Sequence, residues 1–318
     1  MLQKRLHLGC LFYFPLKQVT VKNKHLSLEV LEYGAIIRKL KFRTAGNSWT
    51  DVNVSLESPE DYLNDPLSIG ACVGRYAGRL SGGNLDLDGN SFPLTHTEGI
   101  TLHGGDRGFS KQYWTLQQAS ESPDKSEIIL KYRSEHLEEG FPGTLDVTVT
   151  YTLLKNALII RHEATTDSPT VVNLTNHTYF KIDSQPLISH YQLQINALKR
   201  AETDSRRLPT GRLPEVLDTA YDFLKERRLG DITMDTPFLL DANRDFAARL
   251  TSAVSGIRLT VHTNQPALVV YTPEHFAGIC FETQNLPDAP RFDHFPDARL
   301  NPGETYVNQS RFVFESLP

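Results

Sequence analysis

The chain has 318 residues, 39% of them hydrophobic and 22% charged, with a formal net charge of −5. That balance excludes a disordered chain, and no dense Lys/Arg stripe interleaves with aromatics as it does in nucleic-acid binders. No apolar run approaches the ~18 residues of a membrane span, so the expected partner is a small, neutral or weakly charged molecule, with neither nucleic acid nor membrane involved.

In chain order, the stretch from Met1 to Leu16 places Lys4 and Arg5 ahead of Leu8-Gly9-Cys10. Too few residues precede Cys10 for the apolar stretch of about 7–15 residues in a signal peptide, so residues 1–15 read as a poorly specified leader or first strand. Ser58 to Leu63 opens like a short helix. Next comes Gly74-Arg75-Tyr76-Ala77-Gly78-Arg79, whose arginines could each grip hydroxyls or pair with acids. Asp88-Gly89, between Leu85/Leu87 and Phe92/Leu94, marks a two-residue hairpin. His103 stands before Gly104-Gly105, and glycines permit positive φ and close backbone approach. Its ring is therefore either aimed at a ligand from a sharp loop or satisfied by backbone as a turn histidine.

Leu145, Val147, Val149, Tyr151 and Leu153 alternate with polar residues, the period of a half-buried antiparallel strand, and Lys155-Asn156 turns the chain into Leu158-Ile159-Ile160. His177 lies in Asn176-His177-Thr178-Tyr179-Phe180 after an apolar run, among amides, hydroxyls and aromatics that suit a proton donor or acceptor near its ordinary pKa of ~6.5. Ala220 to Arg228 reads as a second short helix. Asp235, ahead of Thr236-Pro237-Phe238, is a hydroxyl-binding carboxylate or a turn residue. Ile257, Leu259 and Val261 form a further alternating run, and Asn264-Gln265-Pro266 joins it to Leu268-Val269-Val270-Tyr271 as another hairpin. Glu282 closes the apolar run Gly278-Ile279-Cys280-Phe281, where a carboxylate is costly unless it is paired or its raised pKa is useful.

Strand signals dominate and nothing divides the chain, so residues 1–318 read as one domain, a large antiparallel β-sandwich. The three cysteines, Cys10, Cys72 and Cys280, form no C-x-x-C pair and give no disulfide framework, which favours a reducing, cytoplasmic setting. Of the eleven histidines, His7, His25, His136, His190 and His275 read as surface residues. His96 and His103 have no third partner for a zinc site in the sequence. No heptads or apolar stripe indicate assembly, so monomer or weak homodimer is expected.

Together these islands resemble the aldose 1-epimerases, or galactose mutarotases. The motifs that match are Gly74 to Arg79, Leu102-His103-Gly104-Gly105 with Gly108-Phe109 and Trp114, Asn176 to Phe180, Glu282 to Ala289, and Leu300 to Tyr306. Their order and rough spacing agree over nearly the whole chain after the first ~15 residues, far beyond a single motif. The resemblance implies a galactose mutarotase-like supersandwich with the site on a concave face. It implies Glu282 as general base at the anomeric hydroxyl and His177 as general acid at the ring oxygen. His103, Arg79 and Asp235 would bind the sugar, and neither cofactor nor metal is implied. Two positions depart from the family pattern: Gly78, where Asn is usual, and Val269, where some members carry Gln.

Rival readings are a glycosidase using Asp235 and Glu282, a hexose-6-phosphate 1-epimerase, and a non-catalytic carbohydrate-binding sandwich. The phosphate reading needs a basic cluster, for which the sequence offers Arg75, Arg79 and Arg291.

Overall fold

The strands follow from residue alternation. Leu145–Leu154 buries every second side chain, and it pairs antiparallel with Ala157–Thr166 across Lys155-Asn156. These two are the third and fourth strands of a nine-stranded antiparallel sheet that continues on one side to Lys125–Ser134 and Thr115–Ser120. On the other side it runs through Tyr306–Ser316, Ile257–Thr263, Ala248–Ser252 and Gln192–Ile195 to Arg227–Arg228. A five-stranded sheet, in the order Tyr179–Phe180, Ile279–Gln284, Ala267–Tyr271, Asp235–Leu239 and Lys199–Arg200, faces it. The computed structural model describes residues 16–318; His7, Cys10 and the expected leader lie outside them.

The main core sits between the two sheets. Phe180, Phe238, Leu268, Val270 and Phe281 from the smaller sheet meet Tyr151, Ile160, Leu259, Val261 and Phe312 from the larger. Polar pins join the sheets beside this core: the Ser310 hydroxyl donates to Thr283 Oγ1 at 2.6 Å, and the Asn308 amide donates to the Thr283 carbonyl at 2.7 Å. Because strand side chains alternate faces, burying Phe281 and Thr283 inward sends Cys280, Glu282 and Gln284 to the opposite face. The same rule puts Val269, Tyr271 and Asp235 on that face, where the site is built.

Several expectations hold locally. Asp88-Gly89 adopts positive φ at both residues (52° and 76°) and closes the hairpin Asn84–Leu87 with Asn90–Pro93. The helix expected from Ser58 is a 3-10 helix over Pro59–Asn64, with the Ser58 N–H donating to Asp61.

Three expectations are corrected. Ile257–Thr263 and Ala267–Tyr271 are not a hairpin: the first belongs to the nine-stranded sheet, and the second to the five-stranded one. Arg244 takes the carbonyls of Thr263 and Gln265 at 3.0 and 2.8 Å, stabilising a crossover between layers. Ala220 to Arg228 is no helix. Arg227 folds over the Phe223 ring at 3.9 Å and donates to the Asp222 carbonyl, and the segment ends as the edge strand Arg227–Arg228. His190 is not simply a surface residue, since its Nε2 lies 2.7 Å from the buried carboxylate of Asp183.

Candidate active site

The chain positions His177 by two backbone bonds. Its N–H donates to the Ala71 carbonyl, and its own carbonyl accepts from the Gly70 N–H, both at 2.9 Å. Asn176 and Thr178 are scaffold: the Asn176 amide donates to the Gly70 carbonyl, and its Oδ1 accepts from the Thr178 hydroxyl. The imidazole packs against Tyr179 with ring centroids 5.0 Å apart, and its Nδ1 lies 3.4 Å from the Cys280 sulfur. Its Nε2 faces Glu282 Oε1 at 3.6 Å. That spacing is longer than a direct hydrogen bond and close enough for both groups to address two oxygens on one carbon.

Both groups are buried. Burial disfavours charge, so it pushes the Glu282 carboxyl up to about 8, helped by repulsion from Asp235 and opposed by Arg79. It also pulls His177 down to about 4. Between those limits the pair holds one titratable proton in total, and burial favours its residence on the carboxyl.

His103 has φ +51, and Gly104 has φ +86. A Cβ on Gly104 would lie 2.1 Å from the Gly74 carbonyl oxygen, so only glycine permits this loop to press against the Gly74-Arg75 strand end. The Gly78 N–H donates to His103 Nδ1 at 3.2 Å. In the neutral ring, the proton then sits on Nε2, the atom left free to donate. Burial, His177 and Arg79 push His103 well below its ordinary pKa, which keeps that ring neutral. The ligating atoms of His103, His177 and Glu282 lie within 4.8 Å of one another, a spacing that a divalent ion could bridge. A protonated Nε2 on His103 is nevertheless a donor toward an oxygen, which suits a hydroxyl better than a cation.

The pocket over these groups encloses about 200 Å³, below the ~300–1,000 Å³ of sites for drug-sized ligands. It has monosaccharide dimensions. Arg79 and Asp235 close its far side, joined at 3.3 Å. All five expected site residues, His177, Glu282, Arg79, His103 and Asp235, therefore meet in one pocket. Asp235 begins a strand rather than forming a turn.

Arg75 does not join them. Its guanidinium is buried and donates to the Pro142 and Gly143 carbonyls and to the Ser134 hydroxyl, neither gripping a ligand nor pairing with an acid. Arg291 is likewise occupied by Ser81 and Asn84. The basic cluster expected from Arg75, Arg79 and Arg291 thus does not assemble. Gly78 and Val269 both line the pocket. Gly78 has φ +80, and a Cβ there would lie 3.1 Å from Pro287.

Sequence reasoning missed Tyr271, Gln284 and Arg207 in the wall. The first two carried a signal: Tyr271 shares a face with Val269, and Gln284 shares one with Glu282. Arg207 carried none, because it comes from an irregular segment that pairs with Asp235 only through the fold, at 2.7 Å.

The family profile described as aldose 1-epimerase matches residues 17–312. The chain is 34% identical to the galactose mutarotase of Sus scrofa, with 92% of each chain aligned. Identity to that of Homo sapiens is 35% over 91% of each. Among solved structures, it is similar to an aldose epimerase homologue from C. elegans (TM-score 0.88, 28% identity, 95% of this chain and 100% of that one). A galactose 1-epimerase from Lactobacillus acidophilus is also similar (TM-score 0.84, 28% identity, with the same coverage).

Proposed function

The chain belongs to the aldose 1-epimerase family, and from that premise we propose that it interconverts the α and β anomers of free aldohexoses such as galactose and glucose. The observation that carries the reading is the buried His177–Glu282 pair, 3.6 Å apart on the floor of a sugar-sized polar pocket.

Mutarotation needs a proton removed from the anomeric hydroxyl and another delivered to the ring oxygen. Both oxygens are bonded to the same carbon, so the acid and the base must be near neighbours. Glu282 as carboxylate takes the hydroxyl proton, while His177 as imidazolium protonates the ring oxygen. The C1–ring-oxygen bond breaks, giving the open aldehyde. Rotation about C1–C2 presents the other face, and closure returns each proton to its origin. The pair contains one exchangeable proton before and after opening. The charged arrangement starts the reaction and the neutral one accompanies the open chain, so burial favours the proton transfers that open the ring. His103 Nε2–H supports the ring-oxygen side, while Arg79 and Asp235 hold hydroxyls and supply orientation. No step calls for a cofactor or metal.

Among the described residues, no helix is long and apolar enough to cross a membrane. The free, buried Cys72 and Cys280 fit a reducing compartment, and we place the protein in the cytoplasm as one domain acting as a monomer or weak homodimer. Polarimetry on freshly dissolved α-D-galactose and α-D-glucose tests the function. Acceleration over the spontaneous rate is expected, and its absence for both sugars would overturn the simple-hexose reading.

A further inference from the structure

Arg207 is held in an unusual position. It has φ +61 in a turn closed by its own N–H donating to the Asp204 carbonyl, and its neighbour Arg206 ties the turn to the Glu98 carbonyl at 2.5 Å. The side chain reaches Asp235 Oδ2, the same oxygen that Arg79 contacts. One carboxylate oxygen thus serves two guanidiniums, each of which uses a single nitrogen on it. Arg207 remains 47% exposed, with donors free to face the pocket. It also lines an adjoining cavity of about 180 Å³ together with Arg200, whose guanidinium lies 4.3 Å from the Tyr221 ring centre.

The remaining charges do not cancel this excess. Glu202 is taken by Arg212 and Thr210. Glu274 is exposed and acts on Arg207 only as a minor influence behind Asp235. Glu282, His177 and His103 are all disfavoured as ions by burial. This end of the pocket therefore presents more guanidinium than carboxylate.

Its place relative to the chemistry follows from the ladder. Asp235 faces Tyr271, and Tyr271 faces Cys280 on the strand of Glu282. Two strand spacings, ~10 Å in all, separate the strand of Asp235 from that of Glu282. A sugar with C1 at Glu282 turns the opposite side of its ring toward Arg207.

We propose that Arg207 and Arg79 form an anion-accepting subsite, and that the enzyme acts on aldoses carrying a negative group on the side of the ring opposite C1, hexuronates foremost. This rests on the acid–base reading of His177 and Glu282. Replacing a hydroxymethyl by a carboxylate leaves the ligand nearly the same size, and a planar carboxylate matches the planar guanidinium fork. A sugar phosphate offers the same charge but needs the adjoining cavity as well.

The test measures mutarotation of D-galacturonate, D-galactose 6-phosphate and D-galactose by the wild type, Arg207→Ala and Arg207→Lys. For the wild type, kcat/KM for galacturonate should equal or exceed that for galactose. Arg207→Ala should lower the galacturonate-to-galactose ratio about tenfold, mainly through KM, the scale of one charged hydrogen bond. Arg207→Lys should restore part of it. Preference for the phosphate over the uronate would keep the subsite and identify phosphate as its ligand. Acceleration of galactose with neither anion accepted, or a proportional loss on all three sugars in Arg207→Ala, would overturn the subsite while leaving the epimerase reading intact. No acceleration of any sugar would overturn both.

Discussion

Replacing Glu282 by Gln keeps the size of the side chain and removes the proposed base. Glu282 is 3% exposed and lies beside His177, with no other carboxylate on its strand. Water therefore has little room to substitute for it. A positioned acid or base contributes about 10²–10⁴-fold, equivalent to about 3–5 kcal/mol of barrier, so kcat/KM on α-D-galactose should fall by that factor. The wild-type pH profile should be bell-shaped. With Glu282 pushed up to about 8 and His177 down to about 4, the pair holds its single proton only between those values. Above about 8 the proton is lost, and below about 4 a second one binds. Glu282→Gln should remove the alkaline limb and leave the acidic one; His177→Asn should do the reverse. Polarimetry from pH 3.5 to 9, corrected at each pH for spontaneous mutarotation, reads both rate and limbs. A Glu282→Gln enzyme that keeps more than about a tenth of the wild-type rate, or that keeps the alkaline limb, would refute the assignment.

Burial of Glu282 also predicts a stability effect. Its folded pKa lies above the unfolded 4.5, so the stability it contributes is present below about 4.5 and is lost as pH rises through about 8. Glu282→Gln should therefore be more stable than wild type at pH 8.5, by about 1–3 kcal/mol, with little gain at pH 4.5; equal gains at both pH values in calorimetry would contradict this. Gly104→Ala combines positive φ with a Cβ 2.1 Å from the Gly74 oxygen. It should displace His103 and cost about 10²-fold in kcat/KM, and a variant with wild-type kinetics would exclude that role for the loop. Asp235→Asn should raise KM for galactose about tenfold with a smaller change in kcat, and an unchanged KM would remove Asp235 from the binding wall. Arg75→Met should lower the unfolding temperature while leaving KM of the folded enzyme unaltered, because its bonds run to carbonyls outside the pocket. A raised KM would return it to the site.

Strand identity was legible because it rests on short-range information, and the proposed acid–base pair because its motifs resemble those of the family. Alternation at Leu145–Leu154 states which side chains are buried whatever the partner strand, and Glu282 among apolar residues advertises its own desolvation. The Gly104-Gly105 pair likewise announced the sharp loop that carries His103. Pairing was a different matter. Ile257–Thr263 and Ala267–Tyr271 look like a hairpin because two apolar runs with a polar turn read alike whether the chain folds back or crosses between layers. Arg244, from outside the segment, stabilises the crossover. Ala220 to Arg228 misled for a related reason: its aromatic and aliphatic spacing serves tertiary packing on Arg227 rather than a helical face.

By itself, then, the sequence determined the all-β class and the glycine-built loop at His103, since backbone preference acts on each residue where it stands, and its motifs singled out His177 and Glu282 as the proposed acid–base pair. Tertiary structure alone decided that Arg75 holds carbonyls, that Arg207 shares Asp235 with Arg79, and that burial pulls His177 down to about 4 rather than leaving it near the ordinary ~6.5 that its polar neighbours suggest. Those outcomes depend on contacts between residues far apart in the chain and on the exclusion of water by the assembled sheets, neither of which is written in local spacing.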